Sequence, residues 1–178
     1  MGQLKQLLPL GDKPIIRYCL DSLIDAGIED LVVVLGPRGN EILDTIKDLP
    51  VKIVFNKNPE SEMAESVRIG LRTIAESSSG VLVSLSDHPL VKADTFKKIV
   101  HCHFETPDKI LIPLYEGQRG HPSLFPKIII EEVFAGLNLR DIIHNDPNRI
   151  RLLEVKDEGI VLDIDTREDY DKIRRNQY

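Results

Sequence analysis

Asp87 is the residue around which chemistry can be built in this sequence. It closes the apolar run Val81-Leu82-Val83-Ser84-Leu85, and Pro89 follows two positions later. A short β-branched run entered from Ser77-Ser78-Ser79-Gly80 reads as a strand buried on both faces, and the proline fixes the turn beyond it. Asp87 is therefore expected at the carboxyl end of a central parallel strand, the edge at which open α/β sheets bind ligands. An acid there suits a divalent metal held on a nucleotide's phosphates. Asp163 and Asp165 stand two apart in a run, Ile160 to Asp165, that reads as a last strand, so both side chains share one face while Ile164 points away. With Asp87 they make an oxygen set of the kind Mg²⁺ shares with phosphate oxygens. The competing reading is a pair of solvated acids favoured by the dipole of the helix that follows.

Three further positions could touch substrate. Lys5 lies in an opening loop, where a lysine can clamp a triphosphate as a point charge or stay a surface residue. Ser66 stands near the start of a helix expected from about Ser61 to Glu76, where free backbone donors and a hydroxyl suit an anion or a base edge, although ordinary capping by Ser61 accounts for the same residues. Arg119-Gly120-His121-Pro122 places two potential cations around a glycine, as binding of an acceptor's phosphate or a plain turn would. His101-Cys102-His103 looks metal-binding, but neighbours one and two apart on a helix face different ways. The sequence has no Gly-x-x-x-x-Gly-Lys-Ser/Thr loop and no Gly-x-Gly-x-x-Gly, against a P-loop ATPase or a dinucleotide oxidoreductase of the usual type.

The elements that must position these residues alternate. Apolar positions Ile15, Ile16, Cys19, Leu20, Leu23 and Ile24 recur at helical spacing after Pro14, with Gly27 as a C-terminal cap. Strands are expected at Leu31 to Leu35, Val51 to Phe55, Val81 to Leu85, Lys109 to Leu114, Ile150 to Val155 and Ile160 to Asp165. Helices are expected at Glu41 to Leu49, Ser61 to Glu76 with Met63 on its buried side, Asp94 to Phe104, Leu137 to His144 and Glu168 to Arg175, the last capped by Thr166. Tyr115 to Pro126 breaks the pattern and reads as an antiparallel insertion beside the sheet that shapes a second pocket. The alternation indicates a mostly parallel sheet between two helical layers, an α/β three-layer sandwich.

The chain's 178 residues, 42% hydrophobic, suit one domain over 1–178. A formal charge of −6 disfavours an electrostatic grip on nucleic acid or an anionic membrane. No apolar run approaches the roughly 20 residues of a membrane span, and the opening lacks a secretory pattern. Two distant cysteines, Cys19 and Cys102, make no disulfide framework and read as core residues of a cytoplasmic protein.

Taken in order, several stretches resemble the MobA-like nucleotidyltransferases, which attach a nucleotide to molybdopterin. They are Met1-Gly2-x-x-Lys5-x-Leu7-Leu8-Pro9-Leu10-Gly11-x-Lys13-Pro14, Met63-x-x-Ser66 with Gly70-Leu71, Asp87-x-Pro89-Leu90, Arg119-Gly120-His121-Pro122, and Asp163-Ile164-Asp165-Thr166-x-Glu168-Asp169-Tyr170. Each motif is weak alone and the ordered set is specific. The resemblance implies a Rossmann-like fold of glycosyltransferase-A type in which a phosphate attacks a Mg²⁺-bound NTP and pyrophosphate leaves. It implies that Lys5 contacts the NTP phosphates, that Asp87 binds the metal with Asp165 or Asp163 as second ligand, that Ser66 lies near the base or ribose, and that His121 lies near the acceptor. The Asp-Ile-Asp-Thr ending resembles the cytidylyl branch more than the guanylyl one, so CTP is expected before GTP, with a phosphorylated pterin as acceptor.

Members of that family open with a strand and a loop of the form Leu-Ala-Ala-Gly-x-Ser-x-Arg ahead of Met-Gly, whereas this sequence opens at Met-Gly. Two expectations follow: a sequence that starts downstream of the true start, which is preferred, or a remnant with impaired catalysis. Such a strand belongs between those at Leu31 to Leu35 and Val81 to Leu85, and without it two edges of buried character are exposed. The alternatives to a molybdopterin cytidylyltransferase are a non-catalytic accessory protein inserting cofactor into a molybdenum hydroxylase, and nucleotide transfer to a sugar or alcohol phosphate.

Overall fold

The first chain reversal is dictated by Gly11. In the computed structural model, which describes residues 4–176, a 3₁₀ turn (Lys5–Leu7) leads into a hairpin of β1 (Pro9–Leu10) and β2 (Lys13–Pro14), with Gly11 at φ 64°. Met1 and Gly2 of the opening motif lie outside the described residues. Pro14, unable to donate a backbone hydrogen bond, precedes α1 (Ile15–Asp25), which buries Ile15, Ile16, Cys19, Leu20 and Leu23. Gly27, at φ 80°, supplies the left-handed residue that ends it.

The chain then alternates through β3 (Val32–Leu35), α2 (Asn40–Ile46), β4 (Lys52–Phe55), α3 (Met63–Leu71), β5 (Gly80–Val83) and α4 (Ala93–Glu105). It continues through β6 (Ile110–Tyr115), β7 (Gln118–Arg119), β8 (Ser123–Pro126), α5 (Lys127–Ile130), α6 (Leu139–Asn145), β9 (Ile150–Glu154) and α7 (Arg167–Asn176). Strand alternation builds the layers. On β6, Ile110 and Ile112 face Phe125, Ile130 and Ile142 on one side, and Leu111 faces Ile99 and Cys102 of α4 on the other. On the α4 side, α1 and α2 pack with Phe96 and Ile160.

Several sequence expectations need correction. The segment after Tyr115 is no insertion beside the sheet: β8 lies between β5 and β6, antiparallel to both, with all four residues buried. The sheet containing β5 is consequently mixed rather than mostly parallel, β6–β9 being its parallel pair. Among the described residues β5 pairs only with β8, so it is not the centre of a parallel ladder. No strand spans Ile160 to Asp165. A 3₁₀ turn (Glu158–Val161) takes its first residues, fixed by the Asp157 carboxylate accepting from the Gly159 amide, and the rest is extended without a ladder. Ser61 does not cap α3: its hydroxyl donates to the Asn58 carbonyl at 2.8 Å, so the helix starts at Met63, which is 58% exposed rather than buried.

β3 and β4 form a separate parallel pair, with Val33 opposite Ile53. Between β3 and β5 runs a groove of about 730 Å³, lined by Leu23, Val33, Val67, Leu71 and Leu82 among others. Every residue of β5, and all of β3 but Leu35, is only half-buried although the sequence is that of interior strands. Among the described residues β3 pairs only with β4 and β5 only with β8, so each has one edge without a strand partner.

Candidate functional site

Beyond β5 the chain leaves the sheet through Ser84 to Ser86, and three segments distant in sequence meet at Asp87. The Ile164 amide donates to the Asp87 carbonyl at 3.0 Å, tying the Asp163–Asp165 stretch to the end of β5. The 3₁₀ turn at the chain's start is fixed there too, through Gln6 Nε2 donating to Ser86 Oγ at 3.2 Å. Asp165 is held from its other side by the start of α7, where Thr166 and Asp169 form a reciprocal capping pair: the Asp169 amide donates to Thr166 Oγ1 at 3.1 Å, and the Thr166 amide to Asp169 Oδ2 at 2.9 Å. The Tyr170 hydroxyl donates to the Pro9 carbonyl, docking α7 on the opening hairpin.

Lys5 sits at the centre. Its Nζ donates to Asp87 Oδ2 at 2.8 Å and to Asp165 Oδ1 at 2.9 Å, with side chains 28%, 20% and 64% exposed for Lys5, Asp87 and Asp165. Burial alone would lower the lysine's pKa, but the two carboxylates turn the shift upward. The ammonium beside Asp165 holds that carboxyl below its usual range. Asp87 Oδ1 is buried and has no hydrogen-bond partner among the described residues.

Two imidazoles back the acid. His88 is 8% exposed and its ring centroid is 5.3 Å from that of His121. The Nδ1 atoms of both are buried without a partner among the described residues. Burial, then proximity to His88, holds His121 below the ordinary histidine pKa, against the opposing charges of Asp87 and Asp163. The His121 amide donates to the Ile160 carbonyl at 2.8 Å, and the Gly120 amide to the Pro113 carbonyl at 3.0 Å. A Cβ on Gly120 would stand 2.3 Å from the Ile160 oxygen, so only glycine lets this loop lie against the 158–161 turn.

The residues singled out from sequence thus divide. Lys5, Asp87 and Asp165 are in direct contact, and Asp163 and His121 sit within their electrostatic reach. Ser66 lies on the wall of the groove whose end reaches Ser86, and its hydroxyl accepts from Asn56 Nδ2 at 3.0 Å. Arg119 is exposed on β7, where it pairs with Leu114 of β6. His101 is 80% exposed while Cys102 and His103 are buried, so that trio does diverge.

The expected three-carboxylate metal cluster is not preformed: among the described residues, no three His, Cys, Asp or Glu side chains are grouped to hold an ion. An ammonium stands between two of the carboxylates instead. The donor set still fits a hard cation, because Mg²⁺ is commonly bound through one or two carboxylates with phosphate and water oxygens completing the shell, and Asp87 Oδ1 is an orphaned buried acceptor. Sequence reasoning missed His88, whose partner is 33 positions away without a spacing signal, and Asn56. Asn56 is 5% exposed and serves both Ser61 and Ser66; the turn signal Asn56-Lys57-Asn58-Pro59 concealed it.

The α/β fold is that of the nucleotidyltransferases. The chain belongs to the MobA-like NTP transferase domain family, whose model matches residues 1–148. Among curated relatives, it is 25% identical over 175 residues to the molybdenum cofactor cytidylyltransferase of Escherichia coli, covering 96% of this chain and 86% of that protein. It is 24% identical over 175 residues to the nicotine blue oxidoreductase of Paenarthrobacter nicotinovorans, covering 92% of this chain and 84% of that one. Among solved structures, Rv0371c of Mycobacterium tuberculosis superposes with a TM-score of 0.87 at 27% identity, covering 98% of this chain and 91% of that one. Its manganese complex superposes at 0.80 and 26% identity, with coverages of 98% and 93%.

Proposed function

We propose that this protein transfers CMP from CTP to the terminal phosphate of a molybdopterin-type acceptor in the cytoplasm, releasing pyrophosphate, with Mg²⁺ bound by Asp87 and Asp165 and with Asp163 adjoining. The observation that carries this reading is the Lys5 ammonium between Asp87 and Asp165 at the end of β5, in a chain of the NTP transferase family. Similarity to a cytidylyltransferase and to a manganese-complexed relative supports it.

Lys5 swings from the carboxylates onto the triphosphate and neutralises charge that builds on the departing pyrophosphate. Asp87 and Asp165, freed of the ammonium, would hold the metal, which would supply charge neutralisation and orientation to the phosphates. Ser66, on the groove wall, faces the base or ribose. His121, kept neutral by burial, and the exposed Arg119 receive the acceptor's phosphate, whose oxygen attacks the α-phosphorus in line. No protein nucleophile is needed: positioning and electrostatics account for the acceleration.

The test is pyrophosphate release measured for CTP and GTP, each with molybdopterin, a sugar phosphate or no acceptor. Release confined to CTP with molybdopterin is expected, together with its loss in Asp87→Ala. Tight pterin binding without pyrophosphate would replace the proposal with a carrier role, and release with a sugar phosphate alone would replace the acceptor.

A further inference from the structure

We propose that Lys5 is an internal counter-ion that fills the cation seat of this site, so that a divalent metal is admitted only with or after a nucleotide. The proposal rests on the reading above of Asp87 and Asp165 as metal carboxylates, and adds how that seat is controlled.

Three observations lead to it. The ammonium contacts both carboxylates at 2.8 and 2.9 Å, distances at which its single charge substitutes for a cation shared between them. Asp87 is only 20% exposed, so its charge is poorly hydrated and requires a cation in the absence of ligand. The remaining ionisable groups around the seat do not take the place of Lys5 between the two acids, and Asp163 and Asp169 add negative charge beside Asp165. His88 and His121 lie behind Asp87, and Asp163 adjoins Asp165.

A divalent ion approaching this seat meets a fixed positive charge and must break two charge-assisted hydrogen bonds. A triphosphate removes both obstacles, because it offers Lys5 another anion and brings oxygens that complete the metal's shell. Metal and nucleotide must then raise each other's affinity by the same factor, as reciprocal linkage requires. That coupling is carried by Lys5, a flexible side chain on the one-turn 3₁₀ helix Lys5–Leu7.

The experiment is Mn²⁺ titration followed by the electron paramagnetic resonance of free ion, with and without CTP, on wild type, Lys5→Met, Lys5→Gln, Lys5→Arg and Asp87→Asn. Circular dichroism verifies folding, and the two neutral variants guard against one that fails to fold. Without CTP, wild type and Lys5→Arg are expected to bind Mn²⁺ weakly and the neutral variants at least ~10-fold more tightly. CTP is expected to tighten Mn²⁺ binding in wild type and much less in Lys5→Met. Equal Mn²⁺ affinity in wild type and both neutral variants, with Asp87→Asn weaker than all, would overturn the counter-ion role while leaving the metal assignment standing. Mn²⁺ binding that Asp87→Asn does not alter would overturn the metal assignment, and this proposal with it.

Discussion

Replacing Gly120 by alanine should loosen the segment that presents His121. The added Cβ would stand 2.3 Å from the Ile160 oxygen, 2.7 Å from its carbon and 2.8 Å from its Cγ1, all closer than van der Waals contact permits. Relief requires the loop or the 158–161 turn to move by about 1 Å, as far as those overlaps exceed ordinary contact. That movement disrupts two backbone hydrogen bonds, from the His121 amide to Ile160 and from the Gly120 amide to Pro113. Each is worth ~1 kcal/mol net, and overpacking adds ~1–3 kcal/mol, for a total of about 3–5 kcal/mol. For a domain of this size that is roughly 6–20 °C in melting temperature. A shift of about 1 Å at the acceptor side should lower turnover by ~10²-fold. Gly117→Ala serves as a control: its φ of 82° strains an alanine, but open space surrounds the new Cβ, so only about 1 kcal/mol is expected. Differential scanning fluorimetry and pyrophosphate release read both effects. A Gly120→Ala protein that melts and turns over like wild type would refute the packing argument.

Other perturbations should act elsewhere in the fold. Asp157, 2% exposed, accepts from the Lys92 amide, the Thr95 hydroxyl and the Gly159 amide, so Asp157→Ala should lower urea stability by ~3–5 kcal/mol by stranding three donors. His103 is kept below the ordinary histidine value of 6.5 by burial, so the unfolded chain takes up a proton that the folded one resists. Its contribution is complete above pH 6.5 and declines on acidification toward the folded value, with a slope of at most ~1.4 kcal/mol per pH unit. His103→Gln should flatten the measured stability between pH 6.5 and 5. An engineered extension ahead of Met1, carrying about five apolar, β-branched residues that can reach the β3–β5 groove, should slow amide exchange in both strands; unchanged exchange there would mean that the groove does not take a strand.

The parts of the fold written in local pattern were legible. Proline before α1, the left-handed glycine after it and the β-branched runs of β3, β4 and β5 name their own structure. Ile160 to Ile164 was misread because its alternation is real while its partner is missing: Ile164 is buried between two exposed acids, yet it makes one backbone bond to Asp87 in place of a ladder. β8 was read as lying outside the sheet because Ser123-Leu124-Phe125-Pro126 is short and ends in proline, and only its contacts with β5 and β6 place it inside. In the site, residue type and position singled out Asp87 and Asp165 as candidates, and Lys5 stood out only through the ordered motifs; the fold brings the three into contact. That a lysine would stand between the two acids, and that His88 would pack on His121, depends on chain segments meeting across 160 and 33 positions, which no local spacing encodes.

Calorimetric titration of CTP in the presence of Mg²⁺, comparing wild type with Asp87→Asn, tests most directly whether Asp87 holds the metal-bound nucleotide. The substitution is near-isosteric, so it should preserve the fold while removing the charge. A loss of affinity on the order of 100-fold is expected, the effect of truncating one member of a close, partly buried charge contact, and the gap should narrow when Mg²⁺ is withheld. Equal affinity of the two folded proteins for CTP with Mg²⁺ would contradict the assignment of Asp87.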